Sequence, residues 1–418
     1  VHERTIHTDV LIGIVKKAQQ LRSNSGQLSK KLKVILMSAT MDVDEFAKYF
    51  NGAPVLYLEG RLFHVDVFHT AQEQTDYIYS TISTVLQLHK TRPVAEDILV
   101  FMTGQEEIES TCRTIRELNN KSNTRNTPIL VLPLYAALPN NKQLKCFEKA
   151  PDGVRKVIVS TNIAETSVTI RGIKHVIDTG MIKGKLYTAQ SNMEMLKVHK
   201  ISKSQAWQRT GRAGRESDGS CYRLYTESEY ESMPLNTVPE ILRSNLISVV
   251  LQLIALGIND LVNFDFMSKP PVESIQASLD QLELLGAIKK IRIIAQKAVT
   301  TNGGEEAKRK KLDDSTIYEL TDVGKKMAQF PLDPKLAKCI LAAQKLNCVD
   351  EILKIVSMLS VENIFLTQTV QSKRELADQI KKKFHSADGD HITLLNVYKA
   401  FISNKQNKVS SDNTTKRK

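Results

Sequence analysis

The chain has 418 residues, 41% of them hydrophobic, and 58 basic against 46 acidic side chains give a formal net charge of +12. That length suits two to four packed domains; no apolar run reaches a membrane span, and five cysteines (Cys112, Cys146, Cys221, Cys339, Cys348) without a Cys-x-x-Cys pair argue for reduced thiols and against zinc or disulfides. The basic surplus favours an anionic polymer as partner, nucleic acid before membrane, without choosing RNA over DNA.

No signal peptide is visible and the first residue is Val1, so the chain is expected to be a fragment or a processed product. His2 and His7 stand five apart, one too many for two zinc ligands on one helical face. Val34-Ile35-Leu36-Met37 predicts a buried strand that delivers Ser38-Ala39-Thr40 at its end, as the edge of an α/β nucleotide site requires. From about residue 60 a strand-then-helix rhythm sets in. Ile98–Phe101 reads as a strand, and Thr103-Gly104 as the turn into a helix from Gln105. Ile129–Leu132 is the next strand, followed by Tyr135 to Pro139 and a helix that holds Phe147. Lys156–Val159 leads into Ser160 to Ser167, and Val176–Asp178 is one more strand. This alternation predicts a parallel sheet covered on both faces. No Gly-x-Gly-x-x-Gly opens any unit, which disfavours a dinucleotide enzyme. Thr103-Gly104 and Thr161-Asn162 fall just past strand ends, where they either hold phosphates or cap helices.

Lys185–Tyr187 and Met193–Val198 read as a β-hairpin around Ala189–Asn192. Ser204 to Arg215 then places Arg209, Arg212 and Arg215 three apart, so on a helix they would share one face and could aim guanidinium groups at one anion. Gly211, Ala213 and Gly214 would leave room for that ligand to approach the backbone; an ordinary basic surface helix is the alternative. After Pro239 the period turns helical, with Ile247, Val250, Leu251, Ile254 and Leu256 on one apolar face and Ile275, Leu279, Leu282 and Leu285 on another. Thr300 to Ser315, with Lys308-Arg309-Lys310-Lys311, reads as a solvated loop, or as a nuclear import signal or RNA contact. Leu320–Gly324 and Phe330–Pro334 open a helical region to about Phe401, and Ser403 to Lys418 reads as a disordered basic tail.

Gln208 to Arg215 resembles the sixth motif of superfamily 2 helicases in its DEAH-box form, and other segments follow in the family's order. The resemblance implies an α/β fold: residues 1–59 as the end of a first RecA-like lobe (the helicase ATP-binding domain), 60–238 as a second lobe, 239–319 as a winged-helix domain with a basic insertion, 320–402 as a ratchet-like helical bundle, and 403–418 as the tail. His2 would end an Asp-Glu-x-His box whose acids, upstream, bind Mg²⁺ and orient the attacking water. Ser38 and Thr40 resemble the third motif, which couples hydrolysis to lobe movement. Thr103, Gly104, Thr161 and Asn162 match motifs four and five, which track the RNA backbone. Phe147 matches the aromatic that stacks on the nucleotide base, its alternative being a core phenylalanine. Arg212 and Arg215 would be arginine fingers and Gln208 would place the water. Arg171 stands where relatives carry an Asp that accepts a hydrogen bond from the ribose; arginine cannot accept one.

The implied function is an ATP-dependent RNA helicase with ATP and Mg²⁺ as cofactors, single-stranded or structured RNA and a protein cofactor as partners, no membrane, and residence in the nucleus, including the nucleolus, with the cytoplasm as a further compartment. No Gly-x-x-x-x-Gly-Lys-Ser/Thr occurs in the 418 residues, so this chain alone is not expected to hydrolyse ATP. A non-catalytic RNA-binding or scaffold protein derived from a helicase is the alternative, with a DNA substrate a lesser one.

Overall fold

A strand covered on both faces needs apolar residues along its middle, and Ile98–Phe101, Val157–Val159 and Val176–Ile177 supply them in the strands at 97–101, 155–160 and 173–178. They lie in the middle of a parallel six-stranded sheet. The computed structural model describes residues 1, 3–24, 32–38, 43–58, 60, 63–121, 128–166, 169–188, 193–294, 314–361, 364–365 and 371–415, and every structural statement below concerns these. By contact they form two compact units, Val1–Thr8 with Ile14–Ser244, and Asp9–Gly13 with Asn245–Lys418.

In the first unit, helices α1 (Ile6–Asn24, whose residues 9–13 group with the second unit) and α2 (Val43–Tyr49) precede the sheet. Then come β1 (Val65–His69), α3 (Tyr77–Thr91), β2 (Asp97–Phe101), α4 (Gln105–Lys121), β3 (Ile129–Leu134), α5 (Asn140–Leu144), β4 (Arg155–Ser160), α6 (Ile163–Thr166) and β5 (Ile173–Asp178). An antiparallel hairpin of β6 (Met181–Thr188) and β7 (Met193–Lys200), helix α7 (Lys203–Thr210), β8 (Gly219–Arg223) and α8 (Glu227–Ser232) complete the unit. The sheet order is β1-β8-β5-β2-β4-β3. Alternate residues divide the core: Ile98, Val100, Val157 and Val159 pack with Ile108, Cys112 and Ile115 of α4 on one face, while Leu99, Phe101, Ile158 and Val176 pack with Ala164, Ala213 and Cys221 on the other. The carboxyl ends are level, since Leu134 pairs with Ser160, Ser160 with Phe101, Phe101 with Asp178, and Asp178 with Arg223. All loops after the strands therefore leave one edge. Edge strand β3 tolerates Pro133 because it pairs with β4 alone.

In the second unit, α9 (Ile247–Ala255) and α10 (Val272–Leu284) pack against each other, followed by the antiparallel pair β9 (Ile288–Ile294) and β10 (Asp314–Leu320). The helices α11 (Asp322–Met327), α12 (Pro334–Leu346), α13 (Val349–Leu359), α14 (Gln371–Lys382) and α15 (Asp390–Thr415) follow. The Leu320–Gly324 signature has a local cause. Thr321 caps α11 by accepting from Gly324 N, and a Cβ on Gly324 would overlap the Ala287 carbonyl. Asp333 caps α12 with Pro334 at its first position.

Several sequence expectations change. Val34–Met37 is not a strand, and Ile35 and Met37 are 83% and 80% exposed. An apolar run becomes a strand only beside another that takes its backbone groups, and none pairs with it. Phe147 follows α5 in a turn and is not in the helix. The wing strands β9 and β10 flank the segment that holds the basic insertion, Lys308 to Lys311, which lies outside the described residues. So do His2, Thr40 and the hairpin turn 189–192. The backbone of α15 continues through 403–415, where a disordered tail was expected; residues 390–415 hold no Pro or Gly to stop a helix.

Candidate functional site

Two edges of the first unit's sheet carry the predicted residues. At the carboxyl edge, Thr103-Gly104 leaves β2 and Thr161-Asn162 leaves the adjacent β4, so the two pairs start about one strand spacing, ~4.8 Å, apart. Thr103 is 8% exposed, and its hydroxyl donates to Glu107 Oε2 at 2.5 Å rather than capping α4. Tyr77 donates to the other Glu107 oxygen at 2.7 Å, and burial, with that carboxylate, pushes its phenol up to about 12. Gly104 is open apart from the Lys183 side chain, which brings a cation from the hairpin base. Thr161 Oγ1 accepts from Ile163 N only at 3.5 Å, so its capping role is weak, and Asn162 is exposed.

Helix α7 begins near this edge. Ser202 caps it, and Gln205 completes a capping box by accepting from Ser202 N. The three arginines do not share one helical face. Arg209 lies within α7, wholly buried, with Nε donating to Glu165 Oε1 at 2.6 Å and Nη1 to Asp178 Oδ1 at 2.7 Å. Its guanidinium lies 4.9 Å from the Phe101 ring centroid. Burial works against this charge, but the two carboxylates outweigh it and hold the guanidinium above its ordinary range. Asp178 also accepts from Gly180 N and Tyr225 OH, both at 2.9 Å, whereas Glu165's further donor is Gln205 Nε2 at 3.3 Å.

The helix ends at Thr210, and Arg212 and Arg215 follow in turns. Both reach the segment after β4: Arg212 Nη2 donates to the Glu165 carbonyl, and Arg215 Nη1 to Thr169 Oγ1 at 2.5 Å. Burial, with the Arg215 charge beside it, lowers the Arg212 guanidinium to about 10. Burial also lowers Arg215. This is an environment that an arriving anion would relieve. Gln208 is partly exposed on α7. The small residues between the arginines serve packing rather than ligand access. Ala213 is fully buried, a Cβ on Gly214 would stand 2.7 Å from Val65 Cγ2, and Gly211 caps α7 with an ordinary φ of −62°.

Arg215 and its neighbours lie at the amino edge of the sheet. Gly214 O accepts from Phe63 N, just before β1, and Glu216 accepts from Gly172 N, just before β5. Arg171 sits in that same turn. Phe147, 38% exposed, is tied to this edge because Lys156, near the start of β4, donates to the neighbouring Glu148 carbonyl. The nucleotide candidates thus gather at the amino edge and the RNA candidates at the carboxyl edge. Residues 161–166 and α7 lie between them. Glu3, next to His2, also reaches this segment by accepting from Thr166 Oγ1 at 2.7 Å; Ser38 lies in a segment without regular structure. Sequence reasoning missed Glu165 and Asp178. The available signal was an acid and an arginine inside otherwise apolar or small-residue stretches, which must pair if buried.

The helicase conserved C-terminal domain matches residues 80–217, the winged-helix helicase associated domain (HA2) 278–332, and the ratchet-like helicase associated domain (HA2) 333–394. The human ATP-dependent RNA helicase DHX33 is 52% identical over 421 residues, covering 99% of this chain and 56% of the relative. The mouse protein of that name is 52% identical over 400 residues (96% and 53%), and the Drosophila melanogaster one 46% over 408 (98% and 54%). The chain therefore spans about half the length of the curated relatives it matches. Crystal structures of the E. coli DExH-box NTPase HrpB and the E. coli DEAH/RHA helicase HrpB superpose with TM-scores of 0.67 and 0.70 at 26% identity. They cover 91% and 92% of this chain and 43% and 45% of those chains. With three helicase domains matched in order and such relatives along nearly its whole length, the chain belongs to the DEAH-box helicase family.

Proposed function

We propose that this chain forms the second-lobe half of an ATP-dependent RNA helicase, in which ATP hydrolysis drives RNA translocation, unwinding or ribonucleoprotein remodelling. The observation that carries the reading is the pair of stretches after β4, residues 161–166 and 169. Their first residues stand at the edge with Thr103 and Gly104, and Glu165 and Thr169 are held by Arg212 and Arg215. A change at the nucleotide would reach the RNA side through them. Arg212 and Arg215 would neutralise charge building on the γ-phosphate, Gln208 would orient the attacking water, and Phe147 would stack on the base. His2, Ser38 and Thr40 would contribute from the amino side. The lowered guanidinium of Arg212 suits an incoming phosphate. Mg²⁺ fits this face less well, because Glu165 is bound to Arg209 and Gln205, and Glu216 to Gly172 N. We assign its ligands mainly to residues outside this chain.

RNA would be gripped by Thr103, Gly104, Thr161 and Asn162 through its phosphates, with Lys183 nearby. Such contacts release counterions, so affinity should fall steeply with salt and depend little on sequence. The net charge of +12 supports an anionic polymer, and the named relatives support RNA as that polymer. We further propose a nuclear or nucleolar location and a protein cofactor, which localisation of a tagged chain and affinity capture with cross-linking would test. Binding of unrelated single-stranded RNAs across a salt series tests the surface. Thr161→Ala with Asn162→Ala should weaken all of them alike, by about threefold to tenfold. Salt-insensitive binding, or loss of one sequence only, would mean a different RNA surface.

A further inference from the structure

The amino edge of the sheet holds three buried charges that the proposed chemistry leaves unused: Asp97, Arg155 and Lys156. Arg155 is accounted for, since its guanidinium binds the Leu88, Arg92 and Pro93 carbonyls at the end of α3. Lys156 does something else. It is 2% exposed, and its Nζ donates to Glu148 O at 2.8 Å and Cys146 O at 3.4 Å, the residues on either side of Phe147. A buried ammonium needs a counter-charge and hydrogen-bond partners. Asp97 supplies the first, its Oδ2 3.5 Å from Nζ, while its Oδ1 accepts from Lys156 N at 3.0 Å.

Asp97 also faces the turn that holds Arg171. Its backbone N donates to Gly172 O at 3.2 Å. Gly172 has a φ of +83°, and a Cβ there would stand 3.0 Å from Asp97 Oδ2, so the carboxylate rests against a turn that has no side chain at that point. Gly172 N in turn donates to Glu216, beside Arg215. One chain of contacts therefore joins the Phe147 turn, the 171–172 turn and the arginine loop.

We propose that Lys156 and Asp97 are the positioning pair of the nucleotide site: by binding the carbonyls on either side of Phe147 and bracing the 171–172 turn, they set where that ring meets the base of a nucleoside triphosphate. The inference rests on the reading of Phe147 as the stacking aromatic. It makes Lys156 a positioning residue, not a catalytic one.

Lys156→Met alone would strand Asp97, so the test uses Asp97→Asn with Lys156→Met, which removes both charges at similar volume and should keep the fold. In the 418-residue chain, amide exchange at 146–149 should quicken by about tenfold or more, with Leu99 and Val100 unchanged. Turnover is measured in a chimera that places the residues of the human relative preceding its match ahead of this chain. There Phe147→Ala should raise KM for ATP by about fivefold to a hundredfold, the range for a lost base stack, with kcat nearly unchanged. The pair variant should raise KM in the same direction, and Phe147→Ala added to it should give less than a further twofold, because both act through one ring. Gly172→Ala, which presses on Asp97 without removing a charge, is the second variant if the first fails to fold, and should also raise KM. An unchanged KM in the pair variant, or additive effects, overturns the positioning role and spares the stacking reading. An unchanged KM in Phe147→Ala overturns both.

Discussion

Arg209 stands in the sequence as the first of three evenly spaced arginines and is a buried structural hub in the fold, which makes Arg209→Met the sharpest perturbation of the first unit. Methionine keeps the stem and removes the fork, leaving Glu165 and Asp178 buried without the cation they share. Asp178 retains Gly180 N and Tyr225 OH as donors, whereas Glu165 retains Gln205 alone. Glu165 is therefore the group that takes up a proton. Holding a glutamate neutral at pH 7, roughly 2.7 units above its ordinary pKa, costs about 4 kcal/mol, in line with the roughly 3–5 kcal/mol for breaking a buried pair. At pH 5 the same step costs about 1 kcal/mol. The sign follows from a variant carboxyl whose folded pKa lies above its unfolded value: the penalty is absent below about pH 4 and grows as pH rises. Urea unfolding followed by the fluorescence of Trp207, the one tryptophan of the chain and a residue of α7, reads this unit directly. A loss of about 4 kcal/mol at pH 7 that shrinks towards 1 at pH 5 supports the hub. Unchanged stability, or a loss independent of pH, would refute it.

Arg155→Met should destabilise the same unit by about 1–3 kcal/mol, because it strips a donor from the buried Leu88 carbonyl and from the Arg92 and Pro93 carbonyls just after α3; urea midpoints measure it. His175 is held below its ordinary pKa by burial, against the pull of Glu96, and its Nδ1 is buried without a partner among the described residues. Its folded state binds fewer protons, so stability present above about pH 6.5 is lost as pH falls below it; the slope of melting temperature against pH should flatten in His175→Gln. This chain alone should release no phosphate from ATP with or without RNA, and RNA-stimulated release by a preparation free of other ATPases would overturn the assignment of the site's other half.

Most legible in the sequence were the central strands with apolar runs, while the exposed hairpin was read from its two short strands around a polar turn. Ile98–Phe101 and Val157–Val159 are unbroken apolar runs because α4 covers one side and the Ala164–Ala213 layer the other. The strands β1 and β8 were not named, since Asp66 interrupts β1 at an exposed position and the polar Ser220 and Arg223 interrupt β8 although both are buried. Val34–Met37 misled for the opposite reason: the apolar run is present and the neighbouring strand is not. Among site residues, positions after strand ends were readable because parallel register levels those ends. The partners of Arg209 were not, for Glu165 and Asp178 lie 44 and 31 residues away, a separation that only the fold closes. Nor could spacing show that α7 stops at Thr210, which leaves Arg209 inside the helix and places Arg212 and Arg215 in the turns after it.

The central claim is that Arg212 and Arg215 act on the nucleotide while the carboxyl edge holds RNA. The direct measurement is ATP turnover beside RNA affinity in the chimera carrying Arg212→Ala or Arg215→Ala. Turnover should fall by about 10³-fold, the share an arginine finger contributes, with the RNA Kd changed less than about threefold. Equal losses in both assays, or turnover that survives, would contradict the account.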